Sequence, residues 1–286
     1  MSEIEKKDRR ANRGKLAAGV ERADSSRSRR AGFWRTGGYL SLVAIALWFG
    51  IWFAITEDGF ALMRPIMFPS PAKVIEAVGR ISHLLAEDVA MTMVRVLVGF
   101  TLGTLLGVGL GLQMAYNRKV FHFFNPLVES IRPVPVIAMI PFFLMWFGIT
   151  EPGKLLLITL GVFAIVVVST LEAVRNVPPI FLRAGETLGA SKYQLFRTII
   201  IPAVIPELIG PLRVAAALSY TLVVAGEFMG AQSGLGFRIM EARRLFNPDV
   251  ILVGVVVITG LSAITDTLIR KLTGYITRWS ERSAST

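Results

Sequence analysis

The sequence predicts an all-α integral membrane protein with six transmembrane helices and both termini cytoplasmic. Three observations carry that expectation. The 286 residues are 53% hydrophobic and only 18% charged, with a mean hydropathy of +0.59, whereas soluble domains run at about 45–50% apolar and about 25% charged. Six apolar runs approach the roughly 17–25 residues that cross hydrocarbon as a helix. The net charge of +11 is spread unevenly over alternate loops, as a fixed membrane orientation requires.

The chain opens with a basic arm over residues 1–37. Eleven of the 31 basic residues lie between Lys6 and Arg35, among Ser, Ala and Gly. Such a run is a solvated arm, not a nucleic-acid-binding fold. It can graze anionic headgroups, at about 1 kcal/mol per charge near the surface, and it holds the first helix's orientation. The charged stretch is too long for a secretory signal, and no small-residue cleavage site follows.

The first span runs from Gly38 to Thr56, with Tyr39, Trp48 and Trp52 toward its ends, and it heads a segment, residues 38–90, that ends in a long outer loop. Phe68-Pro69-Ser70-Pro71 in that loop is a turn signal. Val74 to Leu85 has helical spacing and is expected to lie along the outer surface. Residues 91–270 then read as the core. Its spans are Met91–Met114, the proline-broken Pro133–Ile149, Leu155–Leu171, Leu208–Gly226 and Val250–Leu268. Residues 271–286 read as a cytoplasmic tail. With the N-terminus inside, the inner segments hold 22 of the basic residues and the outer segments 7. Arg95 and Arg213 are expected at helix ends, where long side chains reach the interface.

Two intramembrane features need a cause. Gly103, Gly107 and Gly111 recur every four residues, which lets two helix backbones approach closely and reads as a packing seam. Arg132-Pro133-Val134-Pro135-Val136-Ile137-Ala138-Met139-Ile140-Pro141 frees backbone groups that hydrocarbon cannot satisfy. It is either a kinked packing helix or the border of a transport route, with Pro133, Pro135 and Met139 as its candidate lining.

No energy-converting site is visible. Gly148-Ile149-Thr150-Glu151-Pro152-Gly153-Lys154-Leu155 has the glycine and lysine spacing of a phosphate loop. Leu155 replaces the hydroxyl that would hold Mg²⁺, and Pro152 removes an amide donor. The chain has no cysteine and only two histidines, His83 and His122, far apart in sequence. That argues against a metal centre and a catalytic constellation.

The inner loop from Glu172 to Pro206 (about 172–206) is too long for an ordinary connection and too patterned for a linker. Phe181 to Phe196 alternates at helical spacing, with Gly189 breaking it into two short helices, a shape that suits a docking peg with a glycine hinge. Ala184-Gly185-Glu186-Thr187-Leu188-Gly189, nine residues, then Ile199-Ile200-Ile201-Pro202 resembles the EAA loop of the permease subunits of bacterial ABC importers. That pattern is Glu-Ala-Ala, three residues, Gly, nine residues, Ile-x-Leu-Pro. Arg183 stands at the Glu position and Gly185 at the second Ala. Phe68-Pro69-Ser70-Pro71, Arg132-Pro133-Val134-Pro135, Trp146-Phe147-Gly148-Ile149 and Gly234-Leu235-Gly236 resemble the nitrate/sulfonate/taurine branch.

The resemblance implies a MetI-like permease fold in the bacterial cell (inner) membrane, working as a homodimer. Two cytoplasmic ATP-binding subunits would carry ATP and Mg²⁺, this chain binding no cofactor and no metal and lacking its own ATPase. A periplasmic or surface solute-binding protein would deliver a small solute, a sulfonate, taurine or a nitrate-like anion. It implies that Arg183, Ala184, Gly185, Glu186, Thr187, Leu188, Gly189, Ala190 and Pro202 belong to the coupling segment. Tyr220, Thr221 and Glu227 are the candidate polar residues of the path, Glu227 being alternatively a loop glutamate in water. Asp266 is expected at the inner edge near Arg270. The competing class, a secondary transporter driven by an ion gradient, usually shows inverted repeats, and no comparable halves are visible.

Overall fold

A computed structural model describes residues 39–56, except 41, and 68–277. The arm before residue 39, most of the expected outer loop and the last nine residues lie outside the described residues. The chain divides into two compact units, residues 1–71 and 72–286. In the first, helix α1 (Leu42–Thr56) is apolar but shorter than a full span. Trp52 Nε1 donates to the Pro69 carbonyl at 3.1 Å, which fixes the Phe68–Pro69 turn against that helix.

The second unit is helical throughout its regular elements. Helix α2 runs unbroken over Pro71–Tyr116, so the expected surface helix and second span are one element. The residues between them, Leu85-Ala86-Glu87-Asp88-Val89-Ala90, dip in hydropathy but contain no helix breaker, and backbone hydrogen bonding continues through them. Pro71 starts the helix, where its missing N–H costs nothing.

The expected third span is not one helix. α3 (Arg118–Ile131) and the segment Val136–Phe147, whose last eight residues form α4 (Ile140–Phe147), meet at an 88° bend. The break falls at 132–135, where Pro133 and Pro135 forbid continuation. α3 itself lies in a stretch that hydropathy assigns to the inner loop. α5 (Glu151–Arg175) follows.

α6 (Pro179–Thr187) and α7 (Lys192–Leu195) are two short helices, as the sequence on either side of Gly189 predicts. From α7 the chain continues through a π turn at Phe196–Ile200 and α8 (Ile201–Glu207) into α9 (Ile209–Phe228). Lys192–Phe228 is thus a 37-residue helical run, and the expected 172–206 loop is largely helix. α10 (Leu235–Arg244) and α11 (Pro248–Ile276) complete the unit. α11 extends eight residues past the expected end of the sixth span, into the expected tail. Among the described residues, four helices are long and apolar enough to cross a membrane, or five spans if the bent pair is one.

The core lies where α2, α5 and α9 meet, around Val96, Ile158, Val162, Val166, Tyr220 and Leu222. Gly103, Gly107 and Gly111 face α5, joined by Gly99, which the four-residue spacing also reaches. A Cβ on Gly103 would sit 2.7 Å from the Thr159 carbonyl oxygen and Val162 Cβ. On Gly111 it would sit 2.7 Å from Thr170 Cβ. The helices therefore touch backbone to side-chain root, which larger residues would prevent.

Candidate functional site

Three sets of residues stand apart from ordinary packing. The first is α6 and its stop. Gly189 has φ +80 and is the left-handed residue that ends α6. Its N–H donates to the Glu186 carbonyl at 2.9 Å, and that of Ala190 to the Gly185 carbonyl at 3.0 Å, a Schellman motif. Ser191 then starts α7 through a reciprocal cap with Gln194. The residue expected as a hinge thus sits at a reversal that is hydrogen-bonded on both sides.

Gly185 is buried against Leu195, and a Cβ there would press on Ile199 Cδ1 at 3.0 Å. The glycine in the second Ala position of the EAA pattern thus lets α6 fold onto the helix that follows. Arg183, Ala184, Glu186 and Thr187 face outward, as do Ile180, Phe181 and Leu188, the last 88% exposed. Ala190 and Pro202 are half-buried at the base. Lys192 ties this region to the end of α2, its Nζ donating to the Tyr116 carbonyl at 2.8 Å.

The second is an open groove of about 650 Å³ between α9 and α11. Tyr220 and Thr221 line it, with Thr259, Ser262 and Asp266 from the facing helix. Tyr220 is buried except at this edge, its hydroxyl 2.7 Å from that of Thr265. Asp266 does not depend on Arg270 for a partner: Arg213 Nε reaches Oδ1 at 2.6 Å and Nη2 reaches Oδ2 at 2.9 Å. Pro133, Pro135 and Met139 sit at the bend before α4 and are not in this groove's wall, and neither is Glu227.

The third is a buried charge cluster where Glu227 lies. Arg95 is 2% and Glu227 1% exposed, so Arg95 does not reach the interface and Glu227 does not stand in water. Arg95 Nη1 donates to Glu227 Oε1 at 2.6 Å and to the Ser233 carbonyl at 2.7 Å. Its other edge forks onto Glu151, both bonds at 2.8 Å. Lys154, from the phosphate-loop-like run, also binds Glu151.

The cluster caps α10, whose own N-cap residue, Gly234, has no side chain. The Gly234 amide donates to Asp88 Oδ1 at 2.8 Å, Leu235 to Thr92 Oγ1 at 2.9 Å and Gly236 to Glu227 Oε2 at 2.7 Å. Carboxylates at a helix N-terminus are favoured by its dipole as well. The Gly-Leu-Gly motif follows from this crowding: a Cβ on Gly234 would lie 2.7 Å from Arg95 Nη1. One turn on, Arg238 binds Asp88 at 2.7 Å. Burial pulls its guanidinium down, but Asp88 and Glu241 hold it above the usual arginine range. Gly234-Leu235-Gly236 was visible as a motif and Glu227 as a candidate, but nothing in the sequence joined them to Arg95; the available signal was that Arg95 and Glu227 are ionisable residues inside apolar runs.

Residues 99–278 match the family model described as binding-protein-dependent transport system inner membrane component. The chain belongs to that family. It is an ABC importer permease of the nitrate/sulfonate/taurine branch, resident in the bacterial inner membrane. The permease is 31% identical over 247 residues to the "Taurine transport system permease protein TauC" of Escherichia coli (strain K12), covering 84% of this chain and 89% of that one. It is 27% identical over 248 residues to the "Putative aliphatic sulfonates transport permease protein SsuC" of Bacillus subtilis (strain 168), covering 86% and 88%.

Among solved structures, it resembles an inward-facing form of the MetNI methionine ABC transporter, with TM-score 0.55, 19% identity and coverage of 67% of this chain and 97% of that one. An amino acid ABC transporter with histidines gives TM-score 0.57 at 17% identity, covering 72% and 98%. At these identities the structures speak for the fold alone. Permeases of this family work with ATP-binding subunits and a binding protein, and the family's ATP hydrolysis belongs to the partner subunits.

Proposed function

We propose that this permease forms the translocation path for a small sulfonate-type anion, of the taurine or alkanesulfonate class, as one half of a homodimer on two cytoplasmic ATPases. ATP and Mg²⁺ belong to those ATPases, and a binding protein delivers the solute from the outer side. Six spans with both termini inside fit the 22-to-7 bias of basic residues. The names of the relatives support the solute class. The path runs past the α3–α4 bend with Pro133, Pro135 and Met139 and along Tyr220 and Thr221, with Glu227 behind it.

The single observation that carries the reading is α6. It is a short helix outside the spans, closed by a glycine stop, and Ile180, Phe181 and Leu188 there are exposed among the described residues. Apolar side chains on a cytoplasmic face call for a partner surface. ATP-driven closure of the ATPases pushes α6, and the continuous Lys192–Phe228 helix carries that displacement across the bilayer. ATP drives this only to the extent that it binds one state more tightly.

The test is co-expression with the candidate ATPase and pull-down, with Leu188→Asp as the perturbed form. Wild type should retain the ATPase and take up ethanesulfonate in an ATP-dependent way, and the variant should lose both. Uptake by the chain alone, or full ATPase retention by Leu188→Asp, would refute the coupling role.

A further inference from the structure

The groove between α9 and α11 carries a charge that its other walls do not explain. Apart from Asp266, its polar lining is hydroxyl: Tyr220, Thr221, Thr259 and Ser262. Asp266 is the one charged residue in that wall among the described residues. A carboxylate alone on an anion's route would repel the cargo, since like charges in a narrow low-dielectric passage interact strongly. Arg213, not itself part of that wall, changes that through its bond to Asp266. Its planar fork holds Asp266 through two parallel bonds, 2.6 and 2.9 Å long, the geometry that also fits the oxygens of a phosphate or similar oxyanion.

The pair is reachable. Both side chains are about two-fifths exposed, at 40% and 38%, so a competing oxyanion can approach the guanidinium. Arg270, one turn further along α11, adds its positive charge at the same carboxylate. Asp266 therefore has a second cation to face when Arg213 is taken.

We infer that Arg213 and Asp266 form an exchangeable oxyanion site at one end of the groove. A sulfonate group takes the Arg213 fork, and Asp266 turns toward Arg270. Departure of the anion restores the original pair, so the site binds without trapping. Arg213 then sets the charge preference of the route, while Thr221, Thr259 and Ser262 offer hydroxyl donors along it. The inference rests on the reading that this groove belongs to the path.

The sequence has no cysteine, so Ser262→Cys places the chain's sole thiol one helical turn from Asp266. The full chain, co-expressed with its ATPase in membrane vesicles, is labelled with an anionic reagent, the sulfonatoethyl methanethiosulfonate. Its trimethylammonium-ethyl counterpart is the cationic control. The ratio of anionic to cationic rates should fall about tenfold when Arg213→Gln is added, the size expected for one unscreened charge nearby. It should stay high with Arg213→Lys and rise with Asp266→Asn. Opposite shifts from the two partners distinguish a charge-selecting site from a merely structural pair, whose loss would move both the same way.

A ratio indifferent to these variants, or no labelling by either reagent, overturns the site. Since the readout needs no cargo, it is separable from the functional reading. Absent ethanesulfonate uptake with the ratio still responsive would count against the solute class, not against the charge site.

Discussion

Glu227→Ala is the most informative perturbation of the buried cluster. The wild-type carboxylate accepts from Arg95 at 2.6 Å, from the Gly236 amide at 2.7 Å and from Thr92 at 2.9 Å. Its removal leaves Arg95 with Glu151 and the Ser233 carbonyl, and strands the Gly236 amide at the start of α10. Breaking one partner from a buried ion pair costs about 3–5 kcal/mol. An orphaned buried donor adds about 1–3 kcal/mol. These terms overlap, because Arg95 keeps a bidentate partner, so the net loss should be about 4 kcal/mol. The assay is thermal unfolding of the purified complex in detergent, followed on this subunit. Arg95→Met with Glu227→Met removes both charges together and should destabilise less than Glu227→Ala alone, since apolar replacement of a whole pair is often nearly neutral. Glu227→Ala within experimental error of wild type, or single-residue effects that simply add, would refute the account of a mutually dependent cluster.

Two further variants test the packing and the stop. Gly103→Val places a branched side chain where a Cβ alone meets Thr159 and Val162 at 2.7 Å, so α2 and α5 must separate; membrane-inserted yield should fall severalfold, while Gly109→Val, with open space at its Cβ, should keep it. Gly189→Ala meets nothing within 4 Å but must hold φ +80, a backbone cost of about 1–2 kcal/mol; solute-stimulated ATP hydrolysis should drop with assembly intact, Gly189→Asn should recover most of it, and unchanged stimulation in Gly189→Val would count against a rigid stop.

The short helices α6 and α7 were legible in the sequence because their signals are local. Gly189, followed two residues later by Ser191 with Gln194 beyond, writes a stop and a start within six positions, and the turn at Phe68–Pro71 is likewise spelled out by its own residues. Hydropathy alone misplaced what depends on continuity. It cut α2 at a polar stretch that the backbone ladder crosses, and it assigned α3 to a loop because α3's apolar residues, such as Phe121, Phe124 and Val128, are interleaved with His122, Asn125 and Pro126 and flanked by charge. Arg213 and Asp266 were read at two helix ends, each with another explanation, because nothing within a few residues of either names the other.

The sequence by itself determined that this chain lives in a membrane, which of its helices carry a small-residue face, and that an ordered pair of short helices interrupts the segment around Gly189. Composition, periodicity and turn chemistry act over a few residues and need no partner. Only the tertiary structure decided which helix meets the glycine face, that the proline segment turns the chain through 88°, and that Glu227 is sealed against Arg95 instead of facing water. Arg95 finds its two carboxylates 56 and 132 positions away. Burying such charges is tolerable only once α2, α5 and α9 have come together, so the cluster exists in the packing and nowhere in the local pattern.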